Sequence, residues 1–151
     1  SAAYGEGRKP LMFWDSSALV PLLLPEARSA EIASALSSDG EPVIWWSSPV
    51  ECQSAIQRRN REEPLPREAL QTALDRLDAL IQDVDTVAPS EEVRRRAGRL
   101  LSMHPLRAAD AFQLAAALLW CEEDPSRETF VCLDGRLLEA ARREGFRILP
   151  T

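Results

Sequence analysis

The sequence predicts an α/β fold in which a parallel sheet of four to five strands has helices on both faces. Two observations lead to this prediction. Short apolar runs rich in β-branched and aromatic residues alternate with longer stretches of helical periodicity, and helix-start signals follow several of these runs. Strands that alternate with helices at this spacing are typical of a parallel sheet, because parallel neighbours need a crossover connection. The predicted strands are 11–14, 43–46, 85–88, 130–133 and 146–149.

The first predicted strand leads directly into a helix. Residues 11–14 are apolar, Asp15 follows, and a helical pattern then runs over 16–23. Pro25 is predicted to begin a second helix, because proline is well tolerated in a first helical turn, and helical spacing of apolar residues continues over 27–36.

Two further helices are predicted between the second and third strands. Ser48 is a predicted N-cap, with Pro49 at the first helical position and Glu51 at the third. This helix is expected to continue to about Arg61. A proline-rich break follows, and Arg67–Gln82 then has the apolar stripe of an amphipathic helix.

Three helices are predicted in the last part of the chain. The strongest spans 106–120 and is almost wholly apolar apart from Asp110 near its start. An arginine-rich helix at 90–103 precedes it. The helix at Gly135–Glu144 is expected to end at Gly145, because glycine readily adopts the left-handed conformation of a C-terminal cap.

Composition and charge limit the possible functions. The chain has 151 residues, 45% of them hydrophobic and 28% charged, which suits one globular domain. A formal charge of −6 argues against nucleic-acid binding through bulk positive charge. Three widely separated cysteines are most simply explained by a reduced, cytoplasmic protein, and no apolar run has the roughly 20 residues of a membrane span.

Residues 1–10 differ from the rest of the chain. They contain the single lysine, Lys9, and the single tyrosine, Tyr4, and they have no periodicity. We expect a flexible leader or an expression remnant here, ahead of a natural start at Met12. The single folded domain is expected to cover 11–151.

Four acidic residues stand out by their positions. Asp15 and Asp134 each follow an apolar strand and precede a helix, whereas Glu51 and Asp110 each lie in the first turn of a helix. Because ligands of open parallel sheets bind at the carboxyl ends of the strands, all four acids could face one edge of the sheet.

Each acid also has a purely structural interpretation. Asp15 and Asp134 could be ordinary N-caps, Ser48 and Glu51 match a capping box, and Asp110 suits the helix dipole. Their joint placement favours a site instead, because carboxylates in apolar surroundings are costly and repel one another unless a cation compensates them. An all-oxygen site favours Mg²⁺ or Mn²⁺ over zinc.

Four segments in this order resemble the motifs of the PIN-domain family, and within it the short VapC-type toxins. They are FWDSSAL at 13–19, PVE at 49–51, ADAFQLA at 109–115 and CLDGRL at 132–137, and the closing AARREGF at 140–146 also fits. The resemblance extends from Met12 to Leu149. It implies a three-layer α/β/α, Rossmann-like PIN domain.

The resemblance also implies a function and a site. The chain would be a metal-dependent endoribonuclease, the toxin of a type II toxin–antitoxin pair, working as a homodimer with a cognate antitoxin. Asp15, Glu51, Asp110 and Asp134 would hold one or two Mg²⁺ or Mn²⁺ ions, with Ser17 supporting them. Cys132 stands where the family often has serine or threonine, and a thiol is a poor substitute in hydrogen bonding.

Two alternatives remain from the sequence. A PIN-like module could bind RNA or protein without cleaving, and a phosphoacceptor receiver domain also clusters acids at a sheet edge. A receiver domain needs a lysine near its last strand, and the chain beyond Lys9 has none.

The apolar residues of the first two helices could bind the antitoxin or could simply be core. They are Val20, Leu22, Leu23, Leu24 and Ile32.

Four further predictions concern single residues and charged faces. His104 is expected to have a local structural role. Of Trp45 and Trp46, at least one should be core, while either could stack on nucleobases. Most arginines of the third and fifth helices are expected to pair with nearby glutamates on solvated faces, although one or two could guide RNA phosphates.

Overall fold

The computed structural model describes residues 11–38 and 41–150, so the predicted leader at 1–10 lies outside the described residues. A five-stranded parallel sheet carries helices on both faces, as the sequence predicts. The strands are β1 (Met12–Trp14), β2 (Val43–Trp45), β3 (Asp85–Val87), β4 (Thr129–Val131) and β5 (Arg147–Leu149). The helices are α1 (Ser16–Leu23), α2 (Ser29–Ser38), α3 (Ser48–Glu62), α4 (Arg67–Gln82), α5 (Glu91–Met103), α6 (Ala108–Trp120) and α7 (Gly135–Glu144).

The strand order β3-β2-β1-β4-β5 places a topological switch point at β1. The chain builds outward from β1 to β3 and then returns to add β4 on the other side of β1. β1 therefore pairs with β4 over a long sequence separation, with Trp14 opposite Val131. Crevices for ligands form at the carboxyl ends of the strands where the order reverses. In this fold that crevice lies beyond β1 and β4.

Alternating side chains of the central strands supply two separate cores. Phe13 and Phe130 face α5, α6 and α7, whereas Trp14 and Val131 face α1 to α4. Ile44 joins the second group. Because successive strand residues point to opposite faces of a sheet, three-residue strands can be buried on both sides. The result is the predicted three-layer α/β/α arrangement.

Several predicted boundaries were wrong by a few residues. Pro25 does not begin α2, because residues up to Arg28 form a turn in which the Glu26 N–H donates to Ser29 Oγ. Such local side-chain hydrogen bonds compete with helix formation. β4 starts and ends earlier than predicted, at Thr129–Val131, and α6 starts only at Ala108.

The N-cap of α3 also differs from the prediction. Ser47 rather than Ser48 occupies the cap position, and its side chain makes no capping bond to the backbone. Ser48 is helical and buried.

No helix in the described ranges is both long and apolar enough to cross a membrane.

Candidate active site

Asp15 lies directly after β1 and is 3% exposed. Its Oδ2 accepts hydrogen bonds from Ser17 N (3.1 Å) and Ser17 Oγ (2.5 Å), so it does cap α1. Among the described residues none donates to Oδ1. Burial raises the pKa of Asp15 to about 6, against the lowering effect of the Ser17 hydrogen bonds, and the charge of Glu51 raises it further.

Ser17 and Cys132 join Asp15 to the end of β4. Ser17 Oγ accepts from Leu133 N at 2.8 Å while donating to Asp15. Cys132 Sγ lies 3.5 Å from Asp15 Oδ2 and accepts from Asp134 N at 3.3 Å. Burial raises the pKa of the Cys132 thiol, which therefore stays protonated at neutral pH. The protonated thiol thus contacts both Asp15 and the backbone of Asp134, although a thiol is only a weak hydrogen-bond donor.

Glu51 is held by side chains from three separate segments. Ser16 Oγ donates to Oε1 (3.1 Å), and Ser47 Oγ donates to Oε2 (2.7 Å). Gln113 Nε2 lies within 3.3 Å of both oxygens. Glu51 therefore does not form the capping box with Ser48 that its purely structural interpretation would require.

Asp110 and Asp134 line a cavity of about 600 Å³ together with Arg107 and Arg136. Asp134 Oδ1 caps α7 by accepting from Arg136 N (3.0 Å) and Leu137 N (3.2 Å). Partial burial raises the pKa of Asp110, and the charges of Asp134 and Glu51 raise it further. Arg107 opposes this shift through a backbone hydrogen bond and its positive charge.

The four predicted acids are thus electrostatic neighbours at one edge of the sheet. Glu51 influences both Asp15 and Asp110, and Asp110 is influenced by Asp134. Their donor atoms are all oxygens, which suits Mg²⁺ or Mn²⁺. In the described part of the chain, however, no group of three or more His, Cys, Asp or Glu side chains is arranged to hold an ion as it stands. Joint coordination by the four acids would therefore require their carboxylates to move closer together.

Comparison with known proteins identifies the family. The family model described as PIN domain matches residues 12–121. The chain belongs to the PIN domain family. Ribonuclease VapC45 and ribonuclease VapC49, from two strains of Mycobacterium tuberculosis, are each 33% identical to it over 144 residues. These alignments cover 93% of the chain and 96% of each relative.

Solved structures share the fold of this PIN domain. FitAcB from Neisseria gonorrhoeae has a TM-score of 0.64 at 15% identity, covering 91% of the PIN domain and 96% of that chain. PAE2754 from Pyrobaculum aerophilum has a TM-score of 0.61 at 20% identity, and the match covers 93% of the PIN domain chain and 90% of PAE2754. VapC20 from Mycobacterium tuberculosis, described as a sarcin-ricin loop cleaving toxin, has a TM-score of 0.60 at 17% identity, covering 85% and 94%.

Sequence reasoning missed three side chains that hold Glu51 in this PIN domain. From the sequence, Ser16 is expected only to begin the first helix, and neither Ser47 nor Gln113 is given a role at the site. Gln113 is fully buried, its Nε2 also donates to Ser48 Oγ (3.0 Å), and its Oε1 has no hydrogen-bond partner among the described residues. One signal was available: Gln113 interrupts an apolar helix three residues after Asp110, on the same face.

The remaining single-residue predictions have clear outcomes. His104 is buried with Nε2 2.6 Å from Glu144 Oε2, as expected of a structural histidine. Trp45 is core, and Trp46 is 60% exposed. Arginine–glutamate pairs on α3 and α5 include Arg59–Glu63 at 3.5 Å and Arg95–Glu91 at 3.6 Å.

The apolar residues of α1 and α2 are largely core. Leu23, Leu24 and Ile32 are buried, and the partly buried Val20 and Leu22 pack against the same cluster. Leu23, Leu24 and Ile32 therefore belong to the core, as the alternative interpretation of these residues expects. Their apolar area is used by the packing of α1 to α4 on the sheet.

Proposed function

We propose that this PIN domain is a divalent-metal-dependent endoribonuclease, the toxin of a type II toxin–antitoxin pair, acting in the cytoplasm. The observation that supports the proposal is the electrostatic coupling of four acids, two that follow β1 and β4 and two in the first turns of α3 and α6, with Asp110 and Asp134 lining one cavity. The relatives also support the proposal, because two proteins named ribonucleases are similar to this chain over 93% of its length. Mg²⁺ and Mn²⁺ are the proposed ions.

We assign the ion to Asp15, Glu51, Asp110 and Asp134. Asp15 and Asp134 cap their helices through one oxygen each, so Asp15 Oδ1 and Asp134 Oδ2 receive no hydrogen bond from the described residues. When bound, a divalent ion lowers the pKa of an attacking water and stabilises the leaving oxygen of a phosphodiester. Ser17 would hold the Asp15 carboxylate in place.

Arg107 and Arg136 would orient the RNA backbone. Both line the cavity that contains Asp110 and Asp134, and neither makes an ion pair among the described residues. Guanidinium groups hydrogen-bond to phosphate oxygens in a fork geometry. They would thus draw a phosphodiester toward the acids although the chain carries a net charge of −6.

The deciding experiment is cleavage of a mixed RNA pool by the purified full chain, free of any antitoxin. Reactions contain Mn²⁺, Mg²⁺ or EDTA, and Asp15→Asn is compared with wild type. Asp78→Asn is the matched control, because Asp78 is exposed on α4. We expect cleavage with a divalent ion by wild type and Asp78→Asn, and at least a 100-fold loss in Asp15→Asn, on the order of the losses on removing one transition-state-stabilising group.

Other outcomes would redirect the proposal. Absence of cleavage by folded protein over many RNAs would favour a non-catalytic RNA- or protein-binding PIN module. Cleavage that survives both EDTA and Asp15→Asn would contradict the metal mechanism. The predicted homodimer and antitoxin complex are parts of this proposal, and light scattering with and without the co-expressed antitoxin measures both.

A further inference from the structure

A second cavity lies beside the one that is lined by Asp110 and Asp134, on the side of β2 and α5. Its volume is about 660 Å³, within the range of small-ligand pockets. Trp45, Trp46 and Phe112 supply its aromatic surface, and Arg94 lies at its α5 side. Glu51 lines this cavity and is also one of the four acids. The cavity therefore lies next to the proposed cleavage site, and Ala109 lines both cavities.

The aromatic groups of this cavity divide into a fixed wall and an accessible ring. Trp45 is 5% exposed and stacks on Phe112, with ring centroids 5.8 Å apart and an interplanar angle of 4°. Trp46 follows it at the end of β2 and is 60% exposed. The Trp46 N–H donates to Val87 O, so the backbone that carries this exposed ring is tied to β3.

The charges around this cavity are largely compensated within the protein. Glu91 pairs with both Arg94 and Arg95 on α5. The cavity that contains Asp110 differs, because its Arg107 and Arg136 make no ion pairs among the described residues. Arg107 and Arg136 can thus contact a phosphate once a cation compensates Asp110 and Asp134, and a neutral, flat group is favoured beside Trp46.

We infer that the Trp46 cavity binds an unpaired nucleobase of the RNA next to the phosphodiester that is cut. This inference rests on the proposed function. A phosphodiester at the acids brings its own nucleotides beside it, so a base can enter the adjoining cavity through the side lined by Ser47 and Glu51. Stacking on an exposed aromatic ring is the common way in which proteins hold single-stranded bases.

Binding is tested in the Asp15→Asn background, so that cleavage does not interfere. The probes are a labelled single-stranded RNA decamer of mixed sequence and an abasic decamer with the same backbone, and anisotropy gives Kd. Stacking is worth about 1–3 kcal/mol per base, so Trp46→Ala and Trp46→Leu should raise Kd for the RNA about 5- to 150-fold. Trp46→Phe should stay within about 3-fold of the parent, because it keeps an aromatic face.

The abasic probe and a surface control make the test specific. All Trp46 variants should bind the abasic decamer equally, and Met103→Ala, another exposed apolar residue, should not change either Kd. Unchanged RNA affinity in Trp46→Ala and Trp46→Leu overturns the inference. So does an equal loss for both probes, or a loss seen only for binding of the co-expressed antitoxin.

Failure of the inference is distinguishable from failure of the proposed function. With an otherwise wild-type chain, Trp46→Ala should raise KM for RNA cleavage about 5-fold or more and leave kcat within about 3-fold. Wild-type cleavage with no change in KM overturns the base subsite alone. A wild-type chain that binds the decamer through Trp46 but cuts no RNA contradicts the nuclease and leaves the subsite supported.

Discussion

At the scale of single residues, Asp15 combines two opposing demands. Its carboxylate is nearly fully buried, which favours the neutral acid, yet a divalent ion would need the charged form. The two hydrogen bonds from Ser17 and the weak one from Cys132 stabilise the charge but do not outweigh burial, because the pKa of Asp15 remains at about 6. The residue thus costs stability at neutral pH unless a cation is bound.

The pH dependence of stability should show this cost. Between the ordinary pKa of 3.8 and about 6, the folded protein keeps a proton on Asp15 that the unfolded chain releases. Stability without metal should therefore fall as pH rises through this window, by about 3 kcal/mol from this residue. Urea unfolding in EDTA between pH 4 and pH 7 measures the fall, and Asp15→Asn should flatten it. An equal slope in both proteins would contradict the prediction.

Gln113 is the second residue whose surroundings predict an effect. Gln113→Leu removes the amide that donates to Ser48 and Glu51. We expect a 10- to 100-fold loss of metal-dependent cleavage, the usual cost of removing a group that orients a metal ligand. Gln53→Leu, on the exposed face of α3, should leave cleavage unchanged. Equal activity of the two variants would show that Glu51 does not need the amide.

At the scale of elements, all four proposed metal ligands lie at the N-terminal ends of helices. Asp15 and Asp134 cap α1 and α7, and Glu51 and Asp110 lie in the first turns of α3 and α6. Backbone N–H groups and the helix dipole favour negative charge at these positions. Structural capping and the proposed catalysis are therefore compatible, because each capping carboxylate uses one oxygen for its helix.

Gly145 at the C-terminal end of α7 and Gly98 inside α5 should respond in opposite ways to substitution by alanine. Gly145 has φ +110°, and an added Cβ would lie 3.2 Å from Pro125 Cγ. Gly145→Ala should destabilise the protein by about 1–2 kcal/mol, because L side chains clash in this conformation. Gly98→Ala, inside α5 with open space at its Cβ position, should stabilise by about 0.5–1 kcal/mol. Urea unfolding of both variants measures the opposite signs.

Hydrophobic periodicity was sufficient for the element types and their order. It could not predict the Ser29 start of α2, because a local hydrogen bond between Glu26 and Ser29 decides it. It could not predict the contacts of Glu51 either, since Ser16 and Gln113 are 35 and 62 residues away along the chain. The four acids were chosen from local junctions, whereas their supporting side chains depend on tertiary packing.

At the scale of the whole molecule, the site joins both halves of the sheet. Asp15 and Glu51 belong to the first part of the chain, which forms β1 to β3, whereas Asp134 follows β4, the strand added on the other side of β1. A bound ion would connect these parts in the folded state only. Ligands that bind only the folded state stabilise it in proportion to the logarithm of their concentration.

Thermal unfolding with added Mn²⁺ should detect this linkage. At a concentration about 100-fold above Kd, Mn²⁺ should stabilise the wild-type protein by about 2.7 kcal/mol. Asp15→Asn and Asp134→Asn should show a smaller rise of Tm, and Asp78→Asn should match wild type. A rise that is equal in all four proteins would place the ion elsewhere.

The order of the strands along the chain also determines when the set of four acids is complete during translation. β4 pairs with β1 across 117 residues, counted from Met12 to Thr129, so the edge of β1 opposite β2 stays unpaired until β4 has been made. Asp15, Glu51 and Asp110 are translated before Asp134, so a ribosome-bound chain can contain three of the four acids without the last. For a chain proposed to cut RNA, this order withholds the fourth acid until β4 and the start of α7 have been translated.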